Sequence, residues 1–211
     1  GGTTNGGTTS GETTSGGTTN GNTTDNGTTN SSPTPVTQVI TASSKTVSYK
    51  AKAFSLNAKT NGGGKLTYKS NNRKVATVSA SGKITVKNYG QATITITASE
   101  NGNYKSATKK ITIKVVPKKM TLKRAYSSGK KKLAAQWKTD KTVDGYQVHF
   151  SQNKKFKVGT YQRKFKKSQS KMSLVGLKSK KTYYVRIRAY KKVSGKTYYG
   201  SWSSVKKTKI K

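Results

Sequence analysis

Few residues in this 211-residue sequence have the chemistry of a catalytic or ligating group. There is one histidine, His149, and no cysteine, so no thiol or second imidazole offers it a nucleophilic or metal-ligating partner. His149 falls on an expected strand, Tyr146–Phe150, out of phase with the inward residues, which makes it a surface histidine. Asp140 and Asp144 flank Lys141-Thr-Val and run into Gly145, a turn sequence, so they read as turn formers and counter-charges rather than a carboxylate pair. Calcium needs about six to eight oxygen ligands, and the three scattered acids of residues 35–211 (Glu100, Asp140, Asp144) do not supply them. No catalysis, cofactor or metal is expected.

One constellation has the chemistry of binding. The stretch Lys191-Lys-Val-Ser-Gly-Lys-Thr-Tyr-Tyr-Gly200 reads as a long loop between two strands, with Trp202 just beyond. An aromatic ring can stack a sugar or a base while a neighbouring lysine takes a phosphate. The candidate partner-binding residues are therefore Lys191, Lys192, Lys196, Tyr198, Tyr199 and Trp202. A plainer reading packs Trp202 over a sheet edge and turns one of the tyrosines inward by alternation. No Arg-Gly-Asp tripeptide occurs, which leaves an integrin-type reading without support.

Charge dominates the rest. Residues 1–34 hold no Lys or Arg and two acids, Glu12 and Asp25, so 43 basic residues face three acids in residues 35–211. Dividing at Pro117 leaves 14 bases and one acid before it and 29 bases and two acids after it. Such a chain is drawn to polyanions: nucleic acid, teichoic-acid-like wall polymer or anionic lipid headgroups. Only five of the bases are arginine (Arg73, Arg124, Arg163, Arg186, Arg188). Lysine is a hydrated point charge without the planar fork that reads phosphate or base edges, so diffuse attraction is favoured over specific readout.

These side chains have to be carried by small all-β modules. Residues 1–30 repeat every five residues, from GGTTN to NGTTN, and cannot bury enough apolar surface to order. They read as a disordered spacer, closed by Ser31 to Pro35, whose threonines are candidate O-glycosylation sites. From Val36 the pattern is that of strands. Ala92, Ile94, Ile96 and Ala98 alternate with Thr93, Thr95 and Thr97, and Ile111, Ile113 and Val115 repeat the period of two. Turn signals at Asn61–Gly64, Ser81-Gly82, Tyr89-Gly90 and Asn101-Gly102 separate short strands. After Pro117 the same reading puts Leu133, Ala135 and Trp137, then Tyr146, Val148 and Phe150, then Tyr183, Val185, Ile187 and Ala189 on inward faces. Most lysines alternate with apolar residues and face outward, which also protects sheet edges. No apolar run is long enough for a membrane-spanning helix.

Two families resemble these stretches. Ser70 through Val78 (S-N-x-x-V-A-T-V, one residue longer here), Ser81-Gly-Lys-Ile84 and Gly90-x-Ala-Thr-Ile94 resemble the bacterial immunoglobulin-like group 2 domain, over roughly residues 37–116. Tyr68 stands where that family has its core Trp. Leu177-(x5)-Tyr183-Tyr-Val-Arg-Ile-Arg-Ala189 resembles the fibronectin type III signature. That resemblance implies a tyrosine corner at Tyr183 and a core Trp at Trp137, and Ser179 replaces the usual Pro. Tyr68, Trp137, Leu177 and Tyr183 are thus the expected structural residues.

The expected architecture is two tandem immunoglobulin-like β-sandwiches: 1–35 linker, 36–116 immunoglobulin-like domain, 117–211 fibronectin type III domain. The resemblances imply the C-terminal part of a secreted, Gram-positive (Clostridia-like) surface protein. Its start within a repeat and without Met places an export signal upstream, and the lack of a sorting motif after Ile210 argues against covalent anchoring. The expected role is a non-catalytic spacer that associates with the cell wall, its partners an anionic wall polymer or surface glycan and an upstream domain. No specific nucleic-acid partner is expected, and the chain is expected to be a monomer. The competing expectation is an adhesion or carbohydrate-binding module attached to an upstream hydrolase.

Overall fold

A computed structural model describes residues 34–211; the Gly/Thr repeats, and the spacer and glycosylation expectations tied to them, lie outside the described residues. Among the described residues every regular element is a strand. Ahead of Pro117 these are β1 (Val36–Thr37), β2 (Ile40–Thr41), β3 (Lys45–Ser48), β4 (Phe54–Ser55), β5 (Lys59–Thr60), β6 (Leu66–Ser70), β7 (Ala76–Val78), β8 (Lys83–Val86), β9 (Gly90–Ala98), β10 (Tyr104–Lys105) and β11 (Ala107–Val116). One sheet runs β3-β11-β9-β6 and the other β4-β8-β7, with two short ribbons, β1-β10 and β2-β5.

The long β9–β11 ladder pairs Ala98 with Ala107 through to Gly90 with Val115. A period of two then turns every second side chain to one face, and Ala92, Ile94, Ile96, Ala98, Ile111, Ile113 and Val115 are all buried there. They join Ile84, Leu56 and Val75 in one core. Gly90, expected in a turn, opens β9 instead. Leu66 and Tyr68 are only half-buried because β6 is an edge strand, so Tyr68 closes the rim of the core rather than filling its centre.

After Pro117 come β12 (Leu122–Gly129), β13 (Lys132–Trp137), β14 (Gly145–Ser151), β15 (Thr160–Lys166), β16 (Lys171–Leu174), β17 (Thr182–Val193), β18 (Lys196–Tyr199) and β19 (Lys206–Lys209). The sheets are β12-β13-β16 and β15-β14-β17-β18, with β19 also on β17. Leu133, Ala135 and Trp137 meet Tyr146, Val148, Phe150, Val185, Ile187 and Ala189 in the second core. Trp137 stands edge-on to Tyr146 and Phe165, with ring centroids 5.8 and 5.3 Å away. Tyr183 is buried and its hydroxyl accepts the Lys178 backbone N–H at 3.3 Å, the geometry of a tyrosine corner. Leu177 packs half-buried against the same core. Ser179, in the place of the usual Pro, donates its hydroxyl to the Lys211 carbonyl at 3.0 Å and ties the turn that way.

The stretch Lys191–Gly200, expected as a long loop, is a hairpin. β17 runs on to Val193 and β18 pairs back, Val193 opposite Lys196 and Tyr190 opposite Tyr199. Ser194 and Gly195 form the two-residue turn, both with positive φ (46° and 75°), as a type I′ hairpin requires.

Among the described residues no ladder joins β1–β11 to β12–β19, but side chains cross between them. Tyr89, whose ring is 4.3 Å from that of Tyr49 in the same sandwich and tilted 32° to it, shares a 2.7 Å hydrogen bond from its hydroxyl to that of Thr142 in the second. Thr142 is itself held by Asp140, which accepts both its N–H (2.8 Å) and its hydroxyl (2.6 Å). The peptide chain at Gly200 lies against the inter-module segment so closely that a Cβ there would come 2.6 Å from the Pro117 carbonyl oxygen.

Candidate functional site

Strands β14 and β17 are central in their sheet, and the residues alternating with their core-facing ones share its other face: Gln147, itself buried, and half-buried His149 on β14, Arg186 and Arg188 on β17. The segment after Gly200 is pinned to β17 by Ser203, whose N–H donates to the Ile187 carbonyl (2.8 Å) and whose hydroxyl accepts the Ile187 N–H (3.1 Å). That places Trp202 on this surface.

The result is a column of alternating rings and guanidinium groups. Arg186 lies 4.1 Å from the Phe156 ring and 4.3 Å from Trp202; Arg188 lies 4.3 Å from Trp202 and 4.0 Å from Tyr199. The His149 ring sits 4.2 Å from Trp202. Polar contacts close the base of the column: Arg188 donates to Gln147 (2.7 Å), Gln147 to Gln162 (2.6 Å), and His149 reaches Gln162 at 3.3 Å. Burial pushes both guanidinium groups below their ordinary range.

His149 is half-buried within this network rather than freely solvated. An Arg186 N–H points at its Nδ1 at 3.4 Å, and arginine only donates, so Nδ1 accepts and Nε2 carries the proton toward Gln162. The neutral form fits and the cation does not. Burial first, then Arg186 and Arg188, hold its pKa below the ordinary histidine value, against the pull of Gln162. A group depressed in the folded state contributes its full stability above its unfolded value, about 6.5. That contribution is lost as pH falls through the lower folded value. Urea midpoints for the second sandwich are therefore expected to drop from about pH 8 to about pH 5. His149→Gln should flatten the part of that slope lying below the unfolded histidine value.

The sequence candidates lie along the β17–β18 hairpin and the segment after it, but their partners are other residues. Lys191 pairs with Asp144 at 2.7 Å, and the Lys192 N–H donates to the other Asp144 oxygen at 2.8 Å, fixing the hairpin to the β13–β14 turn. Burial alone would raise the Asp144 pKa, but these two hydrogen bonds and the nearby lysine charges bring it below the ordinary value. Lys196 is exposed. Tyr198 is buried, with Lys114 of the first sandwich 5.9 Å from its ring. Tyr199 and Trp202 are half-buried against arginine. Arg186 and Arg188 are not among the sequence candidates, although their alternation in Val-Arg-Ile-Arg-Ala189 puts both on the outward face of a long strand.

Among the described residues no three His, Cys, Asp or Glu side chains come together, and no helix is long and apolar enough to cross a membrane. The family model for the intimin immunoglobulin-like domain matches residues 55–100, and that for the fibronectin type III domain matches residues 116–205. The two matches lie in tandem and fit an immunoglobulin-like plus fibronectin type III arrangement, in keeping with the all-β fold. Domains of these kinds make up surface, spacer and adhesion modules of extracellular surface proteins and are typically non-catalytic. Among solved structures, the chicken CNTN1 FN1-FN3 domains align with 14% identity and a TM-score of 0.40, over 85% of this chain and 69% of that one. The FN5 domain of Drosophila Lar aligns with 16% identity and a TM-score of 0.36, over 45% of this chain and 97% of that one. No curated protein matches the chain.

Proposed function

We propose that the two sandwiches form a non-catalytic spacer held near a bacterial cell wall by its positive surface, with an anionic wall polymer as partner. The observation that carries this reading is an uncompensated charge. Among the described residues the Lys191–Asp144 contact is the single ion pair, against 43 basic side chains. Lysines such as Lys69, Lys83, Lys110 and Lys207 are exposed on strands of both sandwiches, so attraction is spread over many faces. Attraction of this kind is screened within a Debye length of about 8 Å at physiological salt and weakens steadily as salt rises.

Co-sedimentation of the chain with Gram-positive cell walls, with and without their teichoic acid, tests it across a salt series. Binding is expected to require the polymer and to collapse as salt is raised. Binding that survives high salt or polymer removal would point instead to a specific receptor.

A further inference from the structure

The outer face of the β12-β13-β16 sheet carries a trough that none of the contacts above fills. Register places Tyr126, Ala134 and Ser173 in one row across this sheet and Arg124, Gln136 and Lys171 in the next. Ala134 and Ser173 are short, so the first row is a depression beside Tyr126, and the Ser168–Ser170 turn ahead of β16 also lines it. Its volume is about 590 Å³, inside the roughly 300–1,000 Å³ range of small-ligand sites. A second depression of about 320 Å³ adjoins it, sharing Gln136, Ser170 and Lys171 and adding Lys123 and Lys138.

We propose that this trough binds an anionic glycan, a sugar ring lying against Tyr126 and its phosphate or carboxylate group meeting Arg124 and Lys171. The proposal rests on the wall-polymer reading and gives it a defined site. Three features converge on that ligand. Tyr126 supplies the aromatic platform, and unlike Trp202 it is not ringed by two guanidinium groups and an imidazole; one arginine, Arg124, approaches it at 4.7 Å. Ser128, Gln136, Ser170 and Ser173 bring hydroxyl and amide groups of the kind that sugar hydroxyls pair with. Lys171 lines both depressions and Lys123 and Lys138 line the second, Arg124 lines neither but stands beside Gln136, which lines both, and no acid lines either. Arg124 is held there by its Nε–H donating to Gln136 at 2.9 Å, which positions a guanidinium to take a charged oxygen. A single ring in a trough also differs from the run of aromatic platforms that stack successive bases of a nucleic acid.

Ser173→Tyr tests the site without touching charge, because Ser173 is exposed on the edge strand β16 and a ring there occupies the trough. The full chain would be titrated with poly(glycerol phosphate) bearing glycosyl substituents, with the unsubstituted polymer, and with inorganic polyphosphate, at about 0.15 M salt. The variant is expected to lose about tenfold in affinity for the glycosylated polymer only. Amide shifts at Tyr126, Gln136 and Ser173 on titrating the unaltered chain, and the same selective loss in Tyr126→Ala, give readouts independent of how Ser173→Tyr folds. If Ser173→Tyr and Tyr126→Ala leave all three polymers bound as before, or weaken all three equally, the trough is refuted while wall attraction by lysine stands. If no polymer binds the unaltered chain, the wall reading falls and this site falls with it.

Discussion

Replacing Gln38 by leucine is expected to cost the first sandwich about 3–5 kcal/mol. Gln38 is a buried polar residue, 3% exposed, in the short segment between β1 and β2. Its amide nitrogen donates to the Ser99 carbonyl (2.6 Å) and the Lys105 carbonyl (3.0 Å), and its amide oxygen accepts from the Thr60 hydroxyl (2.7 Å) and the Gly64 N–H (3.2 Å). One side chain therefore fastens β5 and the Asn61–Gly64 turn, the residue after β9, and the end of β10. Leucine has nearly the same volume but leaves those groups buried without partners, the costly direction of the hydrogen-bond asymmetry. The turn has no room to adjust, since a Cβ at Gly64 would collide with the Ser99 carbonyl. Both tryptophans, Trp137 and Trp202, lie in the second sandwich. In urea, the transition seen by far-UV circular dichroism should move to lower denaturant, while the tryptophan fluorescence transition stays close to its original midpoint. An unmoved circular dichroism curve would mean that the Gln38 contacts carry no net stability.

Trp202→Ala is expected to destabilise the second sandwich by about 3–4 kcal/mol. Trp202 is in contact with Arg186, Arg188 and His149 at once. Cation–π contacts contribute about 0.5–1 kcal/mol each when exposed and about 2 when desolvated. Removing the ring forfeits two of them and leaves two partly buried guanidinium groups facing each other across a gap. Trp202→Phe keeps a weaker ring and should recover about half of the loss. Fluorescence from Trp137 remains available to follow unfolding in both variants. The alanine variant should also restore a more ordinary histidine titration at His149, which NMR of the ring protons reads directly. A loss of under about 1 kcal/mol, with His149 unchanged, would mean that the column is a surface arrangement without energetic weight.

Much of this protein was decided by local pattern. The alternation of Ala92, Ile94, Ile96 and Ala98 permits one inward face for β9, because a strand has a period of two and water excludes the apolar side. Tyr183 and Leu177, six residues apart, carried the tyrosine corner in their spacing, and the surplus of lysine over acid was legible by counting. Such features depend on neighbours in the chain, so the sequence alone determines them. What only the tertiary structure decided depends on residues far apart. Nothing around Gln38 announces that it meets Ser99 and Gly64, contacts 61 and 26 residues away. Tyr198, Tyr199 and Trp202 lie close together in the sequence, but only the packing puts Tyr199 and Trp202 against arginines of β17 and buries Tyr198 on the other side of the hairpin. A side chain's type fixes which contacts it can make, whereas the packing of distant strands fixes which of those contacts are already taken. The trough beside Tyr126 is the same lesson in reverse: it exists because register sets Ala134 and Ser173, short side chains from two other strands, next to a long one.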